Sequence, residues 1–221
     1  MLQLTTIKFL QNLANHNVKE WFDANRSKYD AAKEDVVALV DELIKVHSKV
    51  DPTIAEQEGK KCVMRINRDI RFSKDKTPYK TNFGIGINKG GRKSMLAGYY
   101  IHIQPGQSFV AGGVWMPEAA DLKKIRQEID YNFPEFEKIV TNKKFMAETG
   151  GLTQSEGLLS RPPKGYEADN PAIEFLKLKS FIAAKNFTDE EVCQKDFVKK
   201  ATATMALLQP LLDFLNRGLE E

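Results

Sequence analysis

Apolar side chains in the first part of the chain return every three or four positions. Ile7, Leu10, Leu13 and Ala14 fall on one helical face after Thr5 and Thr6, either of which suits an N-cap. Asn15-His16-Asn17 interrupts the pattern. Asn17, with Glu20 following, reads as a second helix start that carries an acid where the helix dipole favours one. A helix from about Val18 puts Trp21, Asn25 and Tyr29 on one face. Val36, Val37, Leu39, Val40, Leu43, Ile44 and Val46 carry it to about Lys49. Asp51-Pro52 ends it, because the residue before proline disfavours helical angles.

The period then changes to two. Cys62, Met64, Ile66, Ile70 and Phe72 alternate with Arg65, Asn67, Asp69 and Arg71, which predicts a strand with one apolar and one polar face. Arg68 breaks the alternation, so either a bulge re-aims it or a partner pairs it inside. Asn82 to Trp115 reads as an antiparallel meander. Phe83, Ile85 and Ile87 alternate with Gly84, Gly86 and Asn88, and Ala97, Tyr99, Ile101 and Ile103 alternate with Gly98, Tyr100, His102 and Gln104. Gly90-Gly91 and Pro105-Gly106 mark the turns. Pro117-Glu118 opens a helix with the stripe Leu122, Ile125, Ile129.

Residues 141–172 are punctuated by Gly150-Gly151, Pro162-Pro163 and Asn170-Pro171. Phe181-Ile182-Ala183-Ala184 then reads as a strand. Val192, Phe197, Val198, Ala201, Met205, Leu208, Leu212 and Leu215 predict a C-terminal helix that Pro210 should kink or split. Strands gathered between helical segments predict one α+β domain over residues 1–221. Its central sheet is mostly antiparallel and packed by N-terminal and C-terminal helices.

The 221 residues are 42% hydrophobic and 29% charged, the composition of an ordinary globular protein with a sizeable core. No apolar run approaches the roughly 20 residues that span a bilayer. The N-terminus has no signal-peptide pattern. Cys62 and Cys193 form no C-x-x-C pair and read as reduced core thiols, so a cytoplasmic location and no membrane partner are expected.

Charge sharpens the picture. Lys60 to Lys93 holds eleven Lys or Arg against two acids, a net of +9, whereas the whole chain is +3. A concentrated cationic field attracts anions. Lys60, Lys61, Lys89, Arg92 and Lys93 read as solvated ends and loops. On the predicted strand, Arg65, Asn67, Asp69 and Arg71 share a face. Tyr100, His102 and Gln104 share a face of another strand, and Gly84 and Gly86 leave a bare floor that permits close approach. Arg suits such a site because its planar fork matches carboxylate or phosphate. Asp69 would orient an Arg. Lys76 and Lys80 would overhang this face from the turn Ser73-Lys74-Asp75-Lys76-Thr77-Pro78-Tyr79. The candidate ligand residues are therefore Arg65, Arg68, Asp69, Arg71, Lys76, Tyr79, Lys80, Tyr100 and His102. The bland reading is the solvated side of a sheet whose Arg-Asp pairs each contribute at most about 1 kcal/mol.

His102 is the one histidine in this constellation and has the chemistry of an acid or base near neutral pH. His16 falls in a turn, and His47 near a helix end where positive charge is favoured. Trp21, Phe22 and Trp115 read as core, and Arg26 either snorkels or reaches the site. No acid cluster has metal-ligand spacing. There is no P-loop, G-x-S-x-G, H-E-x-x-H or dinucleotide fingerprint, so no metal or cofactor is implied.

Arg65-x-x-Arg68-Asp69-x-Arg71-Phe72-x-x-x-Asp75-Lys76-x-x-Tyr79 fills every fixed position of the signature R-x-x-R-D-x-R-F-x-x-x-[DN]-K-x-x-Y. The chain thereby resembles a bacterial family of about this length that is known as a domain of unknown function and also occurs within longer fungal proteins. Phe9-Leu10, Leu13, Glu20-Trp21-Phe22, Asn25-Arg26, Tyr29, Gly98-Tyr99-Tyr100, Pro117-Glu118 and Pro163-Lys164-Gly165-Tyr166 are similar to it as well. The chain departs at Asn170, where histidine is common in the family. The resemblance implies one full-length domain, a bacterial source and a cytoplasmic setting. It also implies that Arg65, Arg68, Asp69, Arg71, Lys76 and Tyr79 act together, but it implies no reaction, substrate or cofactor.

Three functional readings follow. The first is a pocket for a phosphorylated or carboxylated small molecule, with any catalysis falling to His102 or a tyrosine. The second is a structural or interaction protein whose Arg-Asp cluster stabilises the fold. The third is a nucleic-acid-binding module, which pI 8.7 favours less than the usual footprint above about 9. The sequence does not specify an oligomeric state.

Overall fold

A computed structural model describes residues 1–154 and 156–220. The chain opens with helices α1 (Leu4–Asn15), α2 (Lys19–Ala24) and α3 (Arg26–His47). A 3-10 turn (Pro52–Ile54) and the short α4 (Gly59–Cys62) follow. Strands β1 (Phe83–Asn88), β2 (Gly98–Ile103) and β3 (Ser108–Val114) come next. Helices α5 (Ala119–Tyr131), α6 (Phe133–Val140), α7 (Lys143–Thr149) and α8 (Ile173–Leu176) separate these from β4 (Phe181–Phe187). Helices α9 (Asp189–Cys193) and α10 (Phe197–Glu220) complete the order. The four strands form one antiparallel sheet in the order β1-β2-β3-β4.

Alternation gives the sheet two unlike faces. Phe83, Ile85 and Ile87 lie in register with Ile103, Ile101 and Tyr99, and all six are buried. Helices α3 and α10 pack on this face. The Tyr29 ring of α3 stacks on Phe83 at 6.3 Å, and a Cβ on Gly112 of β3 would meet Leu212 of α10 at 2.9 Å. Gly112 is therefore fixed by the close approach of helix to strand. Helix α1 packs against α3, and α5 packs against α10. The opposite face carries Gly84, Gly86, Tyr100, His102, Phe109, Ala111, Ile182 and Ala184. Among the described residues, no helix is long and apolar enough to cross a membrane.

Several local expectations are corrected. Cys62 to Phe72 is not a strand. Only single bridges form, Val63 with Ile85 and Asn67 with Tyr79, and the chain turns out into a loop. The polar side chains there bond within the loop rather than along a ladder, and Phe72 is 95% exposed. Helix α1 starts at Leu4 without a side-chain cap from Thr5 or Thr6. Asp35 instead accepts from the Gln3 N–H at 2.8 Å and the Thr6 hydroxyl at 2.6 Å. Asn17 does not cap α2, because its amide bonds both the N–H and the C=O of Tyr79. The helix expected from Val18 breaks at Asn25 into α2 and α3. Pro210 leaves α10 unsplit, with Leu208, Leu211, Leu212 and Leu215 buried around it. That burial offsets the hydrogen bond that proline cannot donate. Trp115 is 67% exposed rather than core.

His47 is also corrected. It is buried and its pKa is lowered, because burial penalises the imidazolium more than the nearby Asp51 supports it. Tyr99 donates to Asp51 Oδ2 at 3.1 Å and accepts from His47 Nε2 at 3.0 Å. A buried hydrogen-bonded chain with a neutral His47 thus stands in the core where the sequence suggested a favourable charge on the imidazole.

Candidate functional site

The signature residues build a braced loop. Arg68 N–H donates to the Pro78 carbonyl, and Lys80 N–H to the Ile66 carbonyl, so the two arms run antiparallel. Arg68, one-quarter exposed, is the hub. Its Nη1 donates to Asp75 Oδ2 at 2.5 Å, to the Thr77 carbonyl at 3.1 Å and to the Thr77 hydroxyl, and its Nη2 donates to Ser73 Oγ at 3.3 Å. Asp75 also accepts from Thr77 N–H, and these bonds hold its carboxyl below the usual range. Lys76 Nζ donates to the Ile70 carbonyl at 2.9 Å. Asp69 grips Arg71 through Nε at 2.9 Å and Nη2 at 2.7 Å, an exposed pair that lowers the Asp69 pKa. Tyr79 is buried against Phe22, with ring centroids 4.0 Å apart. Asp69 and Arg71 thus hold each other, Arg68 and Lys76 are held by Asp75, Thr77, Ser73 and the Ile70 carbonyl of the same loop, and Tyr79 packs against α2.

Arg65 and Lys80 stand at the base of this loop, and among the described residues neither side chain has a hydrogen bond or ion pair. The Lys80 pKa is lowered, first by burial and then by repulsion from Arg65 and Arg92. Arg65 and Arg92 are therefore both close enough to oppose the charge on Lys80. The Asp69 carboxylate that Arg65 also feels is already held by Arg71. Arg92, which the sequence places in a solvated loop, lays its stem over the sheet. Its Cγ lies 3.7 Å from where a Gly86 side chain would begin, and its Nη1 donates to the Val63 carbonyl at 3.2 Å. The signal for Arg92 was the Gly90-Gly91 turn, which returns the chain over a strand with a bare face. Met64 covers the neighbouring floor, its sulfur 3.3 Å from the same point on Gly84.

Beside the cations, Tyr100 and His102 form a hydrogen-bonded chain on the open face. His102 Nε2 lies 2.8 Å from Gln104 Oε1, which can only accept, so the ring carries its proton on Nε2. Nδ1 then accepts from the Tyr100 hydroxyl at 3.2 Å and more weakly from Asn82 Nδ2 at 3.4 Å. Burial lowers the His102 pKa despite the bond to Gln104, and it raises that of Tyr100. Both groups are neutral at physiological pH. Gly84 is what admits Tyr100, since a Cβ there would sit 2.7 Å from the hydroxyl. Phe109 stacks on His102 at 4.8 Å, with the planes 6° apart.

Other features lie elsewhere. Arg26 covers the Phe22 and Tyr29 rings and pairs with Asp30, so it snorkels rather than reaching the site. Burial raises the thiol pKa of both cysteines, that of Cys62 to about 11. Asn170 donates to Asp130 at 2.6 Å and braces the turn before α8. A cavity of about 280 Å³ opens on the helical side of the sheet, lined by Asp51, Tyr99, Asp213 and Asn216. Among the described residues, no group of three or more His, Cys, Asp or Glu could hold a metal ion.

The family model described as "Conserved hypothetical protein (DUF2461)" matches residues 5–214. The chain belongs to this family. No curated protein and no solved structure matches it. The DUF2461 match covers the braced loop, the sheet and most of α10, so the site lies wholly within the family's span.

Proposed function

We propose that the protein binds an anionic small molecule, phosphorylated or carboxylated, at the base of the signature loop. Arg65, Lys80 and Arg92 would hold the anion, with Tyr100 and His102 beside it. The observation that carries this reading is the place of Arg92 over the Gly86 floor beside the Tyr100–His102 chain, with Lys80 near enough that Arg65 and Arg92 both oppose its charge. An oxyanion would relieve that repulsion and accept charge-assisted hydrogen bonds from two guanidinium groups. The remaining signature residues serve the site indirectly by fixing the loop that carries Arg65 and Lys80. The structural reading therefore fits Arg68 and its partners, while the ligand reading fits the loop base. Catalysis is not part of the proposal.

Calorimetric titration with inorganic phosphate tests it at two ionic strengths. Saturable binding is expected, weaker at higher salt because the site is partly open. Arg65→Ala, Lys80→Ala and Arg92→Ala should each weaken it about fivefold or more, and Arg71→Ala should not. Absence of saturable binding, or an equal loss in Arg71→Ala, would overturn the reading.

A further inference from the structure

An antiparallel sheet with one face in solvent normally places polar side chains outward. This sheet does so only on one half. The outward positions of β3 are Phe109, Ala111 and Gly113, and those of β4 are Ile182, Ala184 and Asn186. None is charged. Ala111 is in register with Tyr100 on one side and Ala184 on the other, so a small apolar strip begins where the Tyr100 ring ends. Ala111 is buried at its floor, while Ile182, Ala184 and Phe109 are half-buried and open to solvent. Trp115 stands exposed just past β3, its Nε1 donating to Glu156 at 3.2 Å. Arg92 lies over Gly86 of β1, at the other end of the same row, and Arg65 and Lys80 are near it.

We infer that the ligand of this face is an amphiphilic anion. Its head group sits on Arg65, Lys80 and Arg92, and an apolar body crosses Tyr100 onto Ala111, Ala184 and Ile182. The inference rests on the anion-binding reading and adds the class of molecule. Two strand spacings separate β2 from β4, which gives the body a length of about 10 Å. A nucleobase body fits poorly, because the polar groups of the face satisfy one another. Tyr100 gives its proton and Asn82 one of its two to His102, and His102 gives its own to Gln104. The His102 and Phe109 rings are stacked on each other, so neither offers both faces to a base. Charge at one end and an uncharged strip at the other match a free molecule with a single anionic terminus.

The test is a titration series of inorganic phosphate, butyl phosphate, hexyl phosphate and hexanol, all below their aggregation concentrations. Methyl resonances of Ile182 and Ala184 are followed by NMR, alongside vesicles of phosphatidic acid in phosphatidylcholine. Affinity should rise about twofold per methylene, since an open face removes only part of each methylene from water. Hexyl phosphate, and not phosphate, should shift the Ile182 and Ala184 methyls. Ile182→Asp should flatten the series and leave phosphate affinity within twofold, while Lys80→Ala should lower every member together. The methyl shifts in the unaltered protein decide the matter if Ile182→Asp does not fold. Equal affinity for phosphate and alkyl phosphates would overturn this inference and leave the anion site standing. Hexanol binding as tightly as hexyl phosphate, or vesicle binding without a chain-length gradient, would overturn it too. No binding by any member would overturn both readings.

Discussion

Arg68 reaches Asp75 across the neck of the signature loop, Nη1 to Oδ2 at 2.5 Å, and the same nitrogen also holds Thr77. The residue that breaks the sequence alternation is thus the one that closes the loop. Arg68→Ala removes several bonds from a guanidinium that is only one-quarter exposed and should cost about 2 kcal/mol. Arg71→Ala breaks an exposed, solvent-screened pair and should cost far less. Denaturant unfolding of both variants checks the contrast. Faster amide exchange between Asp69 and Thr77 in Arg68→Ala alone would locate the effect.

Gly84→Ala should disturb the site without unfolding the sheet. The new Cβ would meet the Tyr100 hydroxyl at 2.7 Å, so the phenol must move away from His102. The His102 Nδ1 resonance should shift in ¹⁵N spectra, and phosphate should bind several-fold more weakly. Gly86→Ala meets nothing closer than 3.6 Å and should leave both unchanged.

Acid should weaken the fold before the carboxylates of Asp69 and Asp75 protonate. Burial lowers the pKa values of His47 and His102 in the folded state, while the unfolded chain titrates near 6.5. The unfolded chain therefore binds more protons as pH falls through 6.5, and stability drops from there down to the folded-state values. Melting temperatures between pH 7.5 and 5 should fall, and His102→Gln should remove part of that slope. The exposed carboxylates Asp69 and Asp75, whose pKa values are lowered, act only at more acidic pH.

Tyr99→Phe should destabilise the core by about 2 kcal/mol. The hydroxyl links His47 to Asp51, and its loss would leave His47 Nε2 without its acceptor while Nδ1 already lacks a partner. Urea unfolding at neutral pH measures the loss.

The meander was legible because every core-facing position between Phe83 and Ile103 is apolar and each turn carries glycine. The same alternation misleads between Cys62 and Phe72. Period two records which residues differ in polarity, but not whether a neighbouring strand exists to pair them, and β1 offers only the bridge at Val63. Arg65, Tyr100 and His102 were legible as site candidates from their parity and the bare glycines opposite, and Lys80 from the turn that overhangs them. Arg92 was not, because its role depends on a loop folding back over Gly86. The His47–Tyr99–Asp51 chain was hidden for a related reason. Its members lie far apart in sequence, and each has an ordinary local explanation.

Lys80 offers the most direct measurement. Its side-chain ammonium can be titrated by heteronuclear NMR, with and without phosphate. In the ligand-free protein it should titrate below the ordinary lysine value of 10.5, because burial and the charges of Arg65 and Arg92 oppose its protonation. Phosphate should raise that value by supplying the missing counter-charge, and affinity should fall as pH rises through it. A Lys80 that titrates at or above 10.5 and ignores phosphate would contradict an anion site at the base of the loop.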